Sequence, residues 1–188
     1  MISGFIAKKK AMTSVYSPEG KRIGVTALLA KPVKVSSLKT VTKNGYQAVE
    51  VAFGAKGHKE FFPTSKTLPE INTEISIDLV FSPGDIITAT AKTKGRGFAG
   101  VIKRWGFHRQ PVSGGQSDRV RAPGSIGAQT PGKVIKGKKM PGHYGNATKT
   151  ITGLKIVSLN KETHLIYVSG SVPGAFNSWV TLKKVHEN

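Results

Sequence analysis

Residues 92–149 read KTKGRGFAGVIKRWGFHRQPVSGGQSDRVRAPGSIGAQTPGKVIKGKKMPGHYGNATK and divide an otherwise β-patterned chain of 188 residues. This basic stretch holds thirteen Lys or Arg residues against one acid, Asp118, and twelve of its 58 residues are glycine. It lacks the sustained period-2 or period-3.6 apolar pattern that would bury one of its faces. Loops longer than about 12–15 residues are uncommon inside compact domains and are usually functional or disordered. We interpret this one as functional.

The charge of the basic stretch predicts a polyanionic partner. Thirteen cations repel one another, and the segment buries too little apolar surface to offset its chain entropy. The phosphates of a nucleic acid would take up this charge with release of counterions, and glycines let backbone N–H groups approach them. A solvated, disordered linker is the alternative. The aromatic residues interleaved with the charges, Phe98, Trp105, Phe107 and Tyr144, favour nucleic acid.

The remaining 130 residues are only mildly basic, with sixteen cations and nine anions, and are numerous enough to bury a sizeable core. The absence of cysteine excludes disulfides, thiolate nucleophiles and cysteine-ligated zinc, and is compatible with a reducing, intracellular setting. No apolar run approaches the roughly 18 residues of a membrane span. The N-terminal MISGFIAKKK also lacks the apolar region of a signal peptide. We therefore expect a soluble chain without an export signal.

Short apolar runs separated by turn residues predict a mainly β fold, as a barrel or sandwich, and a barrel would also hide the strand edges. We expect turns at residues 17–20, 82–85 and 160–162 and a hairpin at Asn44-Gly45. Residues 1–91 and 150–188 would then form a β-barrel domain, with residues 92–149 as a long, basic, mostly irregular extension inserted between its strands. The expected strands cover residues 2–7, 13–16, 21–30, 34–41, 46–53, 74–81, 86–91, 151–159, 165–169 and 179–185.

Two segments of the β region carry more specific expectations. Residues 54–72 are polar and irregular, with Phe61, Phe62 and Pro63 as expected anchors against the core. Residues 74–81 have the clearest period of two. This period would place one set of apolar residues on a single face of a strand, namely Ile75, Ile77, Leu79 and Phe81.

One short helix is predicted near residues 98–105, where Phe98, Val101, Ile102 and Trp105 follow the spacing i, i+3, i+4, i+7. Phe98 and Trp105 could pack through this apolar face or stack on bases, and we favour packing because both lie on that face; Trp179 is expected to belong to the core. Side chains without such a pattern are better candidates for stacking on bases. They are Phe107, Tyr144 and the guanidinium groups of Arg109, Arg119 and Arg121.

Two glycine-rich motifs resemble nucleotide-binding loops but lack their context. Residues 95–100 match GxGxxG after a predicted strand, yet residues 106–140 supply neither the long crossover helix nor the second parallel strand of a dinucleotide-binding fold. Residues 132–139 resemble a Walker A loop, but Lys139 stands where a Ser or Thr must reach magnesium. We interpret both motifs as basic turns that meet phosphates.

The polar residues predict neither an enzyme nor a metal centre. The five histidines show no metal-ligand spacing, and His164 alternates with Ile166 and Val168 as a strand residue would. No Ser/His/Asp triad or paired carboxylates stand out among the ten acids. We expect no catalytic residue, no metal and no cofactor.

Several long motifs, in order, resemble the bacterial form of ribosomal protein three of the large subunit. They are GFIAKKKAMTSVYSPEGKRIGVTAL at residues 4–28, KTKGRGFAGVIKRWGF at 92–107, RAPGSIGAQTPGKVIKGKKMPGHYGN at 121–146 and GSVPGA at 170–175. The resemblance covers essentially the whole chain. It implies a translation-protein-type β-barrel that binds large-subunit rRNA, in the cytoplasm, beside neighbouring large-subunit proteins. It also implies an extension that runs toward the peptidyl-transferase region, an early role in assembly and no catalysis.

The same resemblance implies a modification site. In some bacterial members of this family a glutamine just before Thr-Pro-Gly is methylated on its side-chain amide by a glutamine methyltransferase. Gln129 matches that position, followed by Thr130, Pro131 and Gly132. Gln129 is therefore a candidate methylation site.

Two other functions remain open beside the ribosomal one. A non-specific RNA chaperone with a basic arm would bind unrelated RNAs equally, and a nucleotide-dependent enzyme would use the glycine-rich loops. The ribosomal interpretation instead assigns specific residues to rRNA, as phosphate contacts or as glycines that permit close backbone approach. They are Lys92, Lys94, Gly95, Arg96, Gly97, Lys103, Arg104, Arg109, Arg119, Arg121, Gly124, Gly127, Lys133, Lys136, Lys138, Lys139 and His143.

Overall fold

The computed structural model describes residues 2–64 and 68–185, and the chain divides into two compact units. The first, here called the barrel unit, consists of Met1–Thr93 and Thr148–Asn188, and the second, the extension unit, is Lys94–Ala147. The extension unit is two residues shorter at each end than the predicted basic stretch. Lys92 pairs with Thr148 and Ala91 with Lys149, so these residues complete a strand ladder of the barrel unit.

The described secondary structure is mainly β, as the sequence predicts. The α-helices are α1 (Val41–Asn44) and α2 (Val101–Trp105), and a 3₁₀ turn covers Ile77–Leu79. Helices long and apolar enough to cross a membrane are absent from the described residues. The strands are β1 (Gly4–Tyr16), β2 (Arg22–Leu29), β3 (Val33–Lys39), β4 (Ala48–Phe53), β5 (Gly57–Phe61), β6 (Glu74–Ile75), β7 (Ile86–Lys92), β8 (Phe98–Ala99), β9 (Gly142–His143), β10 (Thr148–Asn160), β11 (Leu165–Ser169) and β12 (Trp179–Lys184).

Antiparallel pairing closes a barrel in the order β1-β12-β7-β10-β11-β2. Closure satisfies the backbone groups that an open sheet would leave unpaired at its edges. The long strand β1 joins the two N-terminal strands that the sequence predicts, and its register shifts between Lys9 and Met12. A second sheet has the order β5-β4-β3-β6 and shares one continuous apolar core with the barrel.

Gly4 marks where the second sheet packs on the barrel. A Cβ built at this position would lie 2.7 Å from Cε1 of Phe61 and would also collide with the carbonyl of Leu182. Phe61 comes from β5 and is 1% exposed, whereas the adjacent Phe62 is 62% exposed. The glycine of the N-terminal motif therefore admits an aromatic ring from the second sheet.

An acidic side chain of the second sheet is held in its ionised form. The Ser37 hydroxyl donates a hydrogen bond to the Glu50 carboxylate, and Lys39 and His58 lie within 3.6 Å of it. The hydrogen bond from Ser37, helped by the neighbouring Lys39 and His58, holds the pKa of Glu50 below its usual range despite some burial. Glu50 thus neutralises basic groups of its own sheet.

The strand predicted over residues 74–81 is wrong beyond Ile75. The chain instead enters a 3₁₀ turn, in which the amides of Val80 and Phe81 donate to the Ile77 carbonyl at 3.0 and 2.9 Å. The bond from the Phe81 amide spans four residues, as in an α-turn, and places Ile77 and Phe81 on one side. Ile77 and Phe81 are consequently buried, while Leu79 is exposed.

The irregular segment predicted over residues 54–72 contains strand β5, which pairs with β4 along its whole length. Phe61 is an anchor as expected, but Phe62 is not, because alternate residues of a strand face opposite sides. The Asn44-Gly45 hairpin does form between β3 and β4. Its connection is longer than a two-residue turn, since α1 precedes a left-handed Gly45.

Two aromatic residues lie elsewhere than predicted. Trp179 is 40% exposed at the start of β12 and is not a core residue. His164 is not a strand residue, because it occupies the turn between β10 and β11 with φ of 53°. Its amide donates to the carbonyl of Lys161, and the tight turn predicted at residues 160–162 is confirmed.

Candidate nucleic-acid interface

The two ends of the extension unit run antiparallel to each other. Phe98 pairs with His143 and Ala99 with Gly142 in the β8/β9 ladder. The ladder continues toward the ends of the unit, because the Arg96 amide donates to the Tyr144 carbonyl and the Tyr144 amide to the Gly97 carbonyl, both at 2.8 Å. This two-stranded ribbon brings the start and the end of the extension unit together.

Gly145 is the tightest point of the ribbon. It has φ of 80°, and an added Cβ would lie 3.0 Å from the Cα of Gly95 and would collide with the Lys94 carbonyl. Both features require glycine, because other residues are strained at this φ and the backbones approach too closely for a side chain. The two chain ends can be this close only because Gly145 has no Cβ.

Helix α2 is fastened to the returning chain through the carbonyl of Met140. Nη1 of Arg104 donates to this oxygen at 2.7 Å, and Nε1 of Trp105 donates to it at 2.9 Å. The Arg104 guanidinium also occupies the space where a side chain at Gly142 would lie. Met140, Arg104 and Trp105 form what we call the Met140 clamp. Arg104 is therefore half-buried and already hydrogen-bonded, unlike the other predicted phosphate contacts.

The predicted helix begins at Val101 rather than at residue 98. Gly100 is extended, with ψ of 166°, and Phe98 belongs to a strand, so the helical spacing does not include it. Phe98 is 79% exposed, which contradicts its predicted packing. Val101 is buried, and Gly106 ends the helix in the left-handed conformation.

Aromatic rings of the extension unit lie beside cations. The Arg96 guanidinium is 5.9 Å from the ring centroid of Tyr144, and Lys139 Nζ is 5.8 Å from that of Trp105. Trp105 remains partly exposed despite its hydrogen bond. Phe107, a predicted stacking residue, is half-buried. Exposed rings next to positive charge suit nucleic-acid bases, which stack on aromatic faces while cations meet their phosphates.

Residues 106–139 form an open loop with few internal hydrogen bonds. Backbone bonds join Gln110 to Val120 at 3.0 Å and Lys138 to Ile135 at 3.2 Å. The acid of this unit, Asp118, is 4.0 Å from Arg119, and both side chains are 81% exposed. Ion pairs to carboxylates are otherwise absent among the described cations of the extension unit. This leaves nearly all of its positive charge available to a partner.

The structure places nearly all of the predicted rRNA contacts on the surface. Lys92 lies on β7 in the barrel unit and is exposed, and Arg104 belongs to the Met140 clamp. The remaining predicted contacts all belong to the extension unit and are exposed. They are Lys94, Gly95, Arg96, Gly97, Lys103, Arg109, Arg119, Arg121, Gly124, Gly127, Lys133, Lys136, Lys138, Lys139 and His143.

The sequence interpretation missed two features of this surface. Phe98 is one, and the signal for it was present, because Gly97 and Gly100 flank the Phe98-Ala99 pair and disfavour a helix there. The Met140 carbonyl is the other. It had no signal, since a backbone acceptor is independent of the side chain that carries it.

The candidate methylation site is accessible. Gln129 is exposed and lines a shallow surface cavity of about 340 Å³ together with Ile126, Gly132 and Lys133. A modifying enzyme could therefore reach its side-chain amide without unfolding the loop.

Within residues 2–64 and 68–185 there is no cluster of three or more His, Cys, Asp or Glu side chains suited to a metal ion.

Replacing Gly145 with alanine should open the ribbon. We expect the amides of Arg96 and Tyr144 to exchange with solvent roughly tenfold faster, because overpacking of this kind costs about 1–3 kcal/mol. Gly137→Ala is the matched control, since Gly137 has φ of 83° but no atom within 4 Å of an added Cβ. Hydrogen exchange by NMR measures both variants. If these two amides exchange no faster in Gly145→Ala than in Gly137→Ala, the close approach at Gly145 does not hold the ribbon together.

Known proteins similar to this chain identify its family. A family model described as ribosomal protein L3 matches residues 58–165, more than half of the chain. The large ribosomal subunit protein uL3 of Dehalococcoides mccartyi is 40% identical over 202 residues, covering 98% of each chain. The uL3 proteins of Herpetosiphon aurantiacus and a Sulfurihydrogenibium species are 38% and 43% identical and cover 98% of this chain, with 97% and 91% of their own lengths aligned. Given a family match of this extent and relatives this similar over nearly its whole length, the chain belongs to the ribosomal protein L3 family.

Proposed function

We propose that this protein is a structural constituent of the large ribosomal subunit and binds large-subunit rRNA through its extension unit. The observation that carries the proposal is the exposed, unneutralised charge of that unit. Residues 94–147 contain eleven Lys or Arg residues and one acid, and the acid is itself exposed. The protein is a structural component and not an enzyme, as its family indicates.

The extension unit suits folded RNA in three ways. Its cations can replace the counterions that condense on closely packed phosphates. Its open loop leaves backbone N–H groups free to donate to phosphate oxygens, as at the left-handed Gly124, where a side chain would be strained. Its exposed rings, such as Phe98, can stack on unpaired bases. The ribbon and the Met140 clamp give this surface a defined base.

The family relationship supports a more specific role. We assign to the extension unit a path toward the peptidyl-transferase region, and to the whole protein an early part in subunit assembly beside neighbouring large-subunit proteins. We further assign Gln129 as a side-chain methylation site in hosts that have the methyltransferase. Its exposure supports this assignment, because the enzyme must reach the amide nitrogen.

Sedimentation of tagged protein from a lysate of the native host tests the proposal. We expect the protein to remain with the large subunit at high salt, with rRNA protections near the peptidyl-transferase region. Release at moderate salt would overturn the proposal and favour a non-specific RNA chaperone. Mass spectrometry of the same fraction should find one added methyl group on the peptide containing Gln129, and an unmodified peptide in a host with the methyltransferase would refute that assignment.

A further inference from the structure

A pocket of about 460 Å³ opens in the barrel unit, where β1 and β12 meet the end of β4. Its lining combines apolar side chains, including Ile6 and Leu29, with three lysines, Lys8, Lys10 and Lys31. Pockets of roughly 300–1,000 Å³ are the usual size for small ligands. We call this feature the barrel pocket.

Trp179 forms an aromatic wall of the barrel pocket. Lys8 of β1 is the cross-strand partner of Trp179 on the neighbouring strand β12, and its Nζ lies 4.6 Å from the indole centroid. The ring of Phe53 meets the indole edge-on, with centroids 4.8 Å apart and planes at 71°. The indole is nevertheless 40% exposed. It is held in place by its neighbours and still open to a ligand.

The backbone beside this wall is shaped to the indole. Gly54 has φ of 62°, and a Cβ added there would lie 3.0 Å from Cζ2 of Trp179. Any side chain at Gly54 would therefore push on the ring as well as strain the backbone. The turn after β4 thus leaves room for Trp179 and keeps the pocket open on that side.

Carboxylates do not neutralise the lysines of the barrel pocket in the described part of the chain. Lys10 donates to Asn177 Oδ1 at 2.7 Å and lies 5.3 Å from the Phe176 ring centroid, and both contacts leave its charge intact. Five of the described acids of the barrel unit pair with other lysines instead. These pairs are Glu19 with Lys21, Glu74 with Lys34, Glu50 with Lys39, Asp78 with Lys161 and Asp85 with Lys184.

We propose that the barrel pocket binds one unstacked nucleotide of an RNA strand. Its base would lie against Trp179, and Lys10 and Lys31 would contact the phosphates on either side. An aromatic wall with cations around it matches this ligand, since every base has a face that stacks and every linkage carries a negative charge. The inference rests on the proposed function, because rRNA is the RNA this protein would meet. It adds a second contact, in the barrel unit, that holds a single nucleotide.

Tryptophan fluorescence of the full chain tests the barrel pocket directly. The chain contains two tryptophans, so Trp105→Phe leaves Trp179 as the reporter. In a background with Lys133, Lys136, Lys138 and Lys139 changed to glutamine, we expect saturable quenching by a six-nucleotide oligouridylate. Inorganic polyphosphate should compete for the lysines without quenching. An oligonucleotide that binds without changing the Trp179 signal would overturn the proposal.

Two pairs of variants distinguish binding in the barrel pocket from a general effect of the protein's positive charge. Lys10→Gln with Lys31→Gln should raise the oligouridylate concentration needed for half-maximal quenching about tenfold, because two phosphate contacts are lost. Lys43→Gln with Lys155→Gln removes two exposed charges of the same unit outside the pocket that also have no carboxylate partner among the described residues, and should change the binding less than about twofold. Equal effects of the two pairs would refute the pocket. If Trp179 is not quenched but the protein still sediments with the large subunit, only the pocket is rejected. If Trp179 is quenched but the protein does not sediment with the large subunit, only the proposed function is rejected.

Discussion

Changing Lys133, Lys136, Lys138 and Lys139 together to glutamine is expected to lower the salt dependence of rRNA binding by about 3 in the slope of log K against log salt. Each phosphate contact contributes roughly 0.7 to 0.9 to this slope, the range between single- and double-stranded nucleic acid. The affinity at 0.1 M salt should fall by about 10² to 10³-fold for the same reason. All four lysines are exposed, and no carboxylate pairs with them among the described residues.

A charge-preserving variant provides the control. Arginine at the same four positions keeps each positive charge and adds further donors toward phosphate, so the slope should remain that of the unchanged protein. Both variants are measured by filter binding to large-subunit rRNA between about 50 and 400 mM salt, over which log K is expected to fall linearly with log salt. A slope unchanged by the glutamine variant would mean that these lysines do not meet phosphates. A slope lowered equally by arginine would point to disturbed loop structure instead.

The β architecture could be predicted because it depends on burial, which leaves a pattern in the sequence. The strands over residues 86–91 and 165–169 were located closely, since their alternate residues are buried in the barrel. The period of two at residues 74–81 predicts a strand, but Ile77 and Phe81 are buried through a helical turn instead, because the bond between them places residues four apart on one side. Periodicity identifies which residues are apolar, but it does not decide which backbone buries them.

The positive charge of the candidate interface could be predicted from the sequence, but the hydrogen bonds that hold its segments together could not. The lysines and arginines of the extension unit can be counted in the sequence, and nearly all of them are exposed in the structure. The Met140 clamp could not be foreseen, because Arg104 looked like one more phosphate contact and its partner is a backbone carbonyl. The barrel pocket escaped notice for a related reason. The sequence predicts Trp179 in the core, but its position depends on contacts with Phe53 and Gly54, which are distant in the sequence.

Phe61→Ala is expected to lower the free energy of unfolding by about 3–5 kcal/mol, the range for removing a buried aromatic ring. Phe61 is 1% exposed and fills the space that Gly4 leaves on the barrel surface. Whole domains are stable by only about 5–15 kcal/mol, so this one change would remove a large part of the total. Urea denaturation followed by circular dichroism measures the effect.

Phe62→Ala is a matched control at the next position. The same atoms are removed, but Phe62 is 62% exposed, so the expected change is within about 0.5 kcal/mol. Comparable losses in the two variants would show that Phe61 does not join the second sheet to the barrel.

The slope of the unfolding free energy against urea tests whether the two sheets unfold together. Ile2 and Ile6 near the start of the chain, and Val49 and Val51 of β4, belong to the same continuous core as Phe61. Because this core is shared, the second sheet has no separate apolar interior that could keep it folded after the barrel opens. We therefore expect Phe61→Ala to shift the midpoint at an unchanged slope, since the slope follows the surface exposed on unfolding. A lower slope would mean that the second sheet had already detached from the barrel before the main transition.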